Sequence, residues 1–308
     1  MHIPLSILRY GRIVATPDPL FPELPDVRAF TQHLRWLQRW CRVLPLGTAV
    51  RRLRAGTLPA RSVCLTFDGA FAEYATVALP LLQRAGVRAT FFVASGQVDG
   101  PPCWREALTK LVRSAPGPRL CLARAGFGSF DIDCMLRRRA VLDLLLAVLA
   151  GLPPAERMER IRALTGAPRC AGLSADQLIA LHRAGMEIGA NTVSAQALAT
   201  LSNADARAEI ADSRRQLEQI VQAPVTLFAY PEGQPGTDFE RRHGNMLRSA
   251  GFDAAVTTAG GAARAATDPY ELPRTRIHES SSTRFLLRLG RNLLQIPDQT
   301  RTTAARLR

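Results

Sequence analysis

Residues 65–96 read LTFDGAFAEYATVALPLLQRAGVRATFFVASG, and their pattern decides the fold. Val63–Phe67 (VCLTF) predicts a buried strand that ends at Asp68. The stretch from Phe71 to Ala85 predicts a helix, closed by Gly86. Ala89–Ala94 (ATFFVA) predicts a second buried strand. A strand, a helix and a strand in that order are the unit of an α/β protein with a parallel sheet.

The same alternation runs outward in both directions. Val27, Phe30, Leu34, Leu37 and Cys41 recur at helical spacing and predict a helix over 26–42, with His33 packed beside the stripe. A helical block over 136–166 is interrupted by Pro153–Pro154 and carries Arg137–Arg139 on its exposed side. Helices follow over 174–184 and 203–222, the second opened by Ser202 and Asp205 as a capping-box-like pair. Strands are predicted at Met186–Gly189, Val225–Tyr230 and Ala254–Thr257, and another helix ends at Gly251. A basic helix covers 281–294, and the tail from Pro297 is expected to be disordered. A parallel strand–helix barrel is the natural reading. Chemistry in such barrels sits at the C-terminal ends of the strands, here Asp68–Ala70, Gly189–Ala195 and Tyr230–Gly233.

Composition narrows the function classes. The 308 residues are 47% hydrophobic and 21% charged, enough for a sizeable core. The formal net charge is +14, and Lys110 is the single lysine among 40 basic residues. Codon bias explains such an arginine excess, and so does an anionic partner. The excess is concentrated at the two ends. Without visible aromatic–basic interleaving, nucleic acid is not the expected partner. The longest apolar stretch, Ala140–Leu152, contains Asp143 and falls short of the roughly 20 residues that cross a bilayer. With no export signal and six cysteines free of any CxxC spacing, the expected compartment is the cytoplasm, with buried free thiols.

Three segments carry a further signal: the stretch 65–96 itself, GMEIGANTVSAQAL (185–198) and FAYPEG (228–233). They resemble, in order, three motifs of the polysaccharide deacetylase family (the NodB homology domain). The LPR at 272–274 resembles a fourth. RYGRI near the start, LPLGTAVRRLRAGTLPARSV before the first strand and CWREAL at 103–108 extend the match. The resemblance implies a distorted (β/α) barrel, one domain over 1–292 and a basic tail over 293–308. It also implies metal-dependent removal of acetyl groups from N-acetylated sugars. In that chemistry a divalent metal, often zinc, polarises the amide and lowers the pKa of its water to about 7.

The side chains that would do this are replaced. The family's metal-binding carboxylate falls on Gly69, its two metal-binding histidines on Asn191 and Ala195, and its general acid on Gly11. Asp68 keeps the position of the base. Its competing roles are capping of the next helix and structural ion pairing. Arg274 falls where the family pairs an arginine with that base, the alternative being an ordinary surface arginine. The backbone N–H of Glu232 aligns with a group that steadies the oxyanion, while the Glu232 carboxylate would oppose it. Tyr230 and Trp104 are candidate glycan-binding aromatics, Trp104 with core packing as its competing role. His182, His243 and His278 match no metal position.

The expectation is a pseudoenzyme of exopolysaccharide metabolism that needs no cofactor and binds a glycan or regulates a polysaccharide-biosynthesis protein. The first alternative is an active zinc-type hydrolase with relocated ligands. The second is a basic module for anionic polymers. Restoring Gly11→His, Gly69→Asp, Asn191→His and Ala195→His together is expected to recreate a metal site.

Overall fold

The computed structural model describes residues 3–100, 104–165, 172–277 and 282–294. The expected disorder from Pro297 onward, Cys103, Cys170 and His278 lie outside them. The chain divides into two compact units. The first holds residues 1–16, 23–98 and 173–308, and the second holds 17–22 and 99–172. The expectation of one domain over 1–292 contained no such division.

The first unit is built on a curled parallel sheet. Its strands are β1 (Ser6–Tyr10), β2 (Arg42–Val43), β3 (Ser62–Asp68) and β4 (Thr90–Val93), then β7 (Glu187–Ala190), β8 (Leu227–Ala229), β9 (Ala254–Val256) and β10 (Thr275–Arg276). Their order is β10-β1-β3-β4-β7-β8-β9, with β2 also on β3. The segment just before and within β10 touches both ends of that path. Leu272 bridges Val256 of β9, and Thr275 pairs with Leu8 of β1. The sheet therefore curls back on itself, as the expected distorted barrel requires.

Side-chain alternation sorts each strand into two layers. In β3, Val63, Leu65 and Phe67 face the helices and pack with Phe30, Leu34 and Leu37 of α1 (Val27–Trp40). Cys64 faces inward with Ile7, Phe92, Ala229 and Val256. Helix α2 (Leu46–Arg54) adds Leu46, Ala49, Val50 and Leu53 to that inner cluster. With Cys64 inward, Thr66 and Asp68 follow on the same face.

The helix expected from Phe71 begins later. A wide turn, Tyr74–Ala78, leads into α3 (Leu79–Arg84), which carries Pro80 in its first turn. Proline offers no N–H and crowds the preceding turn, which the wide turn relieves. Helices α7 (Ala175–Arg183), α8 (Asn203–Val221), α9 (Arg241–Ser249) and α10 (Ser282–Leu294) complete this unit. Ser202 caps α8 by accepting from the Asp205 N–H at 3.2 Å.

His33 is a packing residue, as expected. It is fully buried, its ring stacks on Phe285 of α10 at 4.0 Å, and Nδ1 meets the Tyr10 hydroxyl at 3.3 Å.

The second unit contains α4 (Trp104–Ser114), a hairpin of β5 (Arg119–Cys121) and β6 (Ser129–Asp131), α5 (Met135–Ala150) and α6 (Pro154–Thr165). Leu108, Val112, Leu142, Leu145 and Leu149 form its core. Two expectations are corrected here. Only Arg137 of the arginine triple is exposed. Arg138 donates to the carbonyls of Val112 and Ala115, and Arg139 donates to Leu20, because the loop and helix ends leave those oxygens unpaired. Of the four described cysteines, all free, Cys64 is buried but Cys121 and Cys134 are exposed. No described helix is long and apolar enough to cross a membrane.

Candidate functional site

Asp68 ends β3 on the inward face, and two arginines converge on it. Arg274 Nη1 donates to Oδ1 at 2.6 Å and Nη2 to Oδ2 at 2.7 Å. Arg9, from β1, donates from Nε to Oδ2 at 2.6 Å. Arg274 is held in turn: Nε donates to the Thr257 carbonyl at 3.0 Å and Nη1 to Thr66 Oγ1 at 3.2 Å. Its side chain is wholly buried, over the Phe92 ring, so the surface-arginine alternative is set aside.

Burial alone would raise the Asp68 carboxyl. The charges of Arg274 and Arg9 and their hydrogen bonds outweigh it and hold the group below its ordinary value of 3.8. No described backbone N–H donates to this carboxylate, so ion pairing and not helix capping is its structural role. Below it, the Tyr74 hydroxyl donates to the Asp68 carbonyl at 2.6 Å.

Gly69 follows with φ of 124°, and a Cβ there would stand 2.6 Å from Cε2 of Phe71. The Phe71 ring thus fills the space beside the position of the lost carboxylate. Arg12 lies over that ring and pairs with Glu73. Restoring an aspartate at 69 requires the Phe71 ring to shift and places a side chain on a disfavoured backbone, so both oppose the four-residue repair.

Asn191 continues β7, its N–H donating to Val93 O at 3.0 Å. Since Ile188 and Ala190 face the helices, alternation puts Asn191 on the inner face. It is 8% exposed, and Oδ1 is buried without a hydrogen-bond partner among the described residues. The next turn is shaped by Glu209 of α8, whose Oε2 accepts from the N–H groups of Val193 and Ser194 at 2.8 and 2.9 Å. Thr192 and Ala195 both take positive φ there, and Thr192 Oγ1 accepts from the Ala195 N–H.

Glu232 is exposed with φ of 56° in the turn after β8. Burial and the like charge of Arg9 disfavour the Arg276 guanidinium, while Glu23 and Glu232 support it. Tyr230 stands elsewhere: it is 2% exposed and stacked on Phe239 at 3.7 Å, in the layer between sheet and helices. The period of two turns it outward, which removes it from a substrate face. Trp104 belongs to the second unit, where Arg105 and Arg157 cover its ring and it packs on that unit's core. Gly11 is exposed with open space around it. His182 sits on α7, and His243 is buried, accepting from the Glu240 N–H through Nδ1.

A divalent cation does not suit these donors. Gly69 and Ala195 bring no side-chain donor, Asn191 brings one amide oxygen, and both Asp68 oxygens are engaged by guanidinium groups. No cluster of three His, Cys, Asp or Glu side chains able to hold a metal exists among the described residues.

Sequence reasoning missed Arg9, Phe71 and Glu209. The available signal for Arg9 was an arginine interrupting the buried run SILRY.

No curated protein matches the chain by sequence. The fold is similar to that of the Streptococcus pyogenes deacetylase PplD in complex with acetate, with TM-score 0.64 and 21% identity over 94% of this chain and 99% of that one. It is also similar to IcaB from Ammonifex degensii (TM-score 0.61, 18% identity, 93% and 97% covered). A de-N-acetylase from Aggregatibacter actinomycetemcomitans gives 0.57 and 14%, with 91% and 96% covered. The family model for polysaccharide deacetylase matches residues 55–255, which include Asp68, Asn191 and Glu232. By that match, which spans well over half its length, the chain belongs to the polysaccharide deacetylase family.

Proposed function

We propose that this chain is a family member that no longer deacetylates, and that it binds a glycan or a polysaccharide-biosynthesis partner at the open end of its barrel. The carrying observation is the donor set at the family's metal positions, where Gly69 and Ala195 bring no side-chain donor, Asn191 brings one amide oxygen, and Asp68 is engaged by Arg274 and also by Arg9. A carboxylate kept below its ordinary pKa by two cations is a weak base. Loss of the acid at Gly11 removes a further factor of about 10²–10⁴. The donor set at 69, 191 and 195 gives a Lewis acid no place to act, so no metal cofactor enters this reading. What persists is a family barrel with its ends of strands intact, a scaffold for recognition without turnover.

The test is metal analysis of the purified chain, together with assays on acetylated chito-oligosaccharides with and without chelator. The expected result is substoichiometric metal and no acetate release. One tightly held zinc per chain with chelator-sensitive turnover would overturn the reading in favour of relocated ligands.

A further inference from the structure

The Asp68 cluster brings together more guanidinium N–H groups than its carboxylate engages. Arg9 and Arg276 are register partners across β1 and β10, and Arg274 lies two residues before Arg276. One carboxylate serves Arg274 and Arg9 together. Glu23 and Glu232 act on the Arg276 side, and Glu73 is occupied by Arg12. Arg9 spends only its Nε on Asp68. Its Nη1 and Nη2 have no hydrogen-bond partner among the described residues, and the side chain is 26% exposed. A guanidinium anchored at Nε, with its outer pair of nitrogens free, is preorganised for a planar anionic group.

A second observation comes from across the sheet. Asn191 Oδ1 is a buried acceptor without a donor among the described residues, on the inner face at the C-terminal end of β7. Buried acceptors are normally satisfied, so this one is left for a hydroxyl that reaches it once the Asn191 side chain turns out of its closed position. Strands β1 and β7 are separated by β3 and β4. That is three strand spacings, at most about 14 Å along the sheet, which a chain of sugars spans better than one ring.

We propose that this open end of the barrel binds an acidic oligosaccharide, with a uronic-acid carboxylate on Nη1 and Nη2 of Arg9 and a hydroxyl of another sugar donating to Oδ1 of Asn191. The proposal rests on the glycan-binding reading above and names its ligand class. Arg9 then takes over, as a fixed cation of the protein, the attraction for an oxygen ligand that the lost metal residues no longer provide.

Calorimetric titration of the full chain at low salt with three probes tests it: trigalacturonate, neutral tri-N-acetylchitotriose and sodium acetate. Trigalacturonate is expected to bind at least about tenfold tighter than the neutral trisaccharide and to lose about tenfold in Arg9→Met, as for a charge-assisted hydrogen bond. Arg9→Lys should recover only part, because an ammonium lacks the fork. Asn191→Ala should weaken trigalacturonate as well.

Equal binding of the acidic and neutral trisaccharides overturns the acidic-ligand proposal and leaves glycan binding standing. No binding of either trisaccharide overturns both. Acetate binding as tightly as trigalacturonate marks a bare carboxylate pocket, which also overturns both. If Arg9→Met does not fold, the ratio between the three probes on the unaltered chain decides alone.

Discussion

The guanidinium of Arg274, with no exposed side-chain surface, grips the Asp68 carboxylate through two parallel hydrogen bonds of 2.6 and 2.7 Å. The two residues are 206 positions apart in the chain. Their pairing ties the end of β3 to the segment that closes the sheet.

Breaking this pair should be costly. Asp68→Asn leaves Arg274 buried without a counter-charge, and we expect a loss of about 3 kcal/mol, the low end for a broken buried pair. Urea unfolding of the variant measures it. The pH dependence has a fixed sign, because the folded pKa of Asp68 lies below its ordinary value of 3.8. The contribution is complete above that value and is lost as the pH falls through the folded pKa. A variant as stable as the parent would show that the pair adds nothing.

Repair of the lost metal positions should fail while Phe71 remains. The variant Gly11→His, Gly69→Asp, Asn191→His, Ala195→His forces a side chain toward the Phe71 ring at φ of 124°. We expect a loss of roughly 1–3 kcal/mol from the backbone strain alone. Zinc should remain substoichiometric by elemental analysis and rise only when Phe71→Ala is added. Full zinc loading with Phe71 intact would refute the steric argument.

Glu209 holds the turn after β7 through two backbone N–H groups. Glu209→Ala removes the one oxygen that accepts from both, with an expected cost of about 1–3 kcal/mol. Amide exchange at Val193 and Ser194 should accelerate, while exchange in α1 stays unchanged. Unaltered protection at those two amides would mean the turn is held by its other bonds.

His33 sets an acid limit on the packing of α10 against α1. Burial pushes its pKa down from 6.5 to about 4. The folded protein therefore favours the neutral ring, and stability falls as the pH drops from 6.5 toward 4. Over that window the protein should lose about 3 kcal/mol, the free energy of charging a ring that burial keeps neutral. His33→Phe should flatten the stability profile there. If the parent and the variant share one slope, the loss arises from other groups.

Much of the fold was legible because buried strands and helices write their periods into the chain. The run 62–68 alternates between two apolar layers, and the stripe Phe30–Leu34–Leu37 keeps one helix face on the core. What misled was local. The helix expected from Phe71 opens at Tyr74, and its first turn, Tyr74–Ala78, is wide because Pro80 follows it. Arg138 and Arg139 read as a solvated run yet supply hydrogen bonds to loop carbonyls. The motif at 228–233 suggests a glycan-facing Tyr230, but a motif says nothing about which side of its strand a side chain takes.

The sequence by itself determined the strand–helix order, the family resemblance and the absence of a carboxylate or imidazole at 69, 191 and 195. These follow from residue type at a position, which no folding step alters. Only the tertiary structure decided what surrounds the surviving carboxylate. Arg9 and Arg274 reach Asp68 from 59 and 206 residues away because parallel register sets Arg9 beside Thr66 and the closing segment beside β1. Such convergence depends on which strands become neighbours and which face each side chain takes, and neither is written in the spacing along the chain.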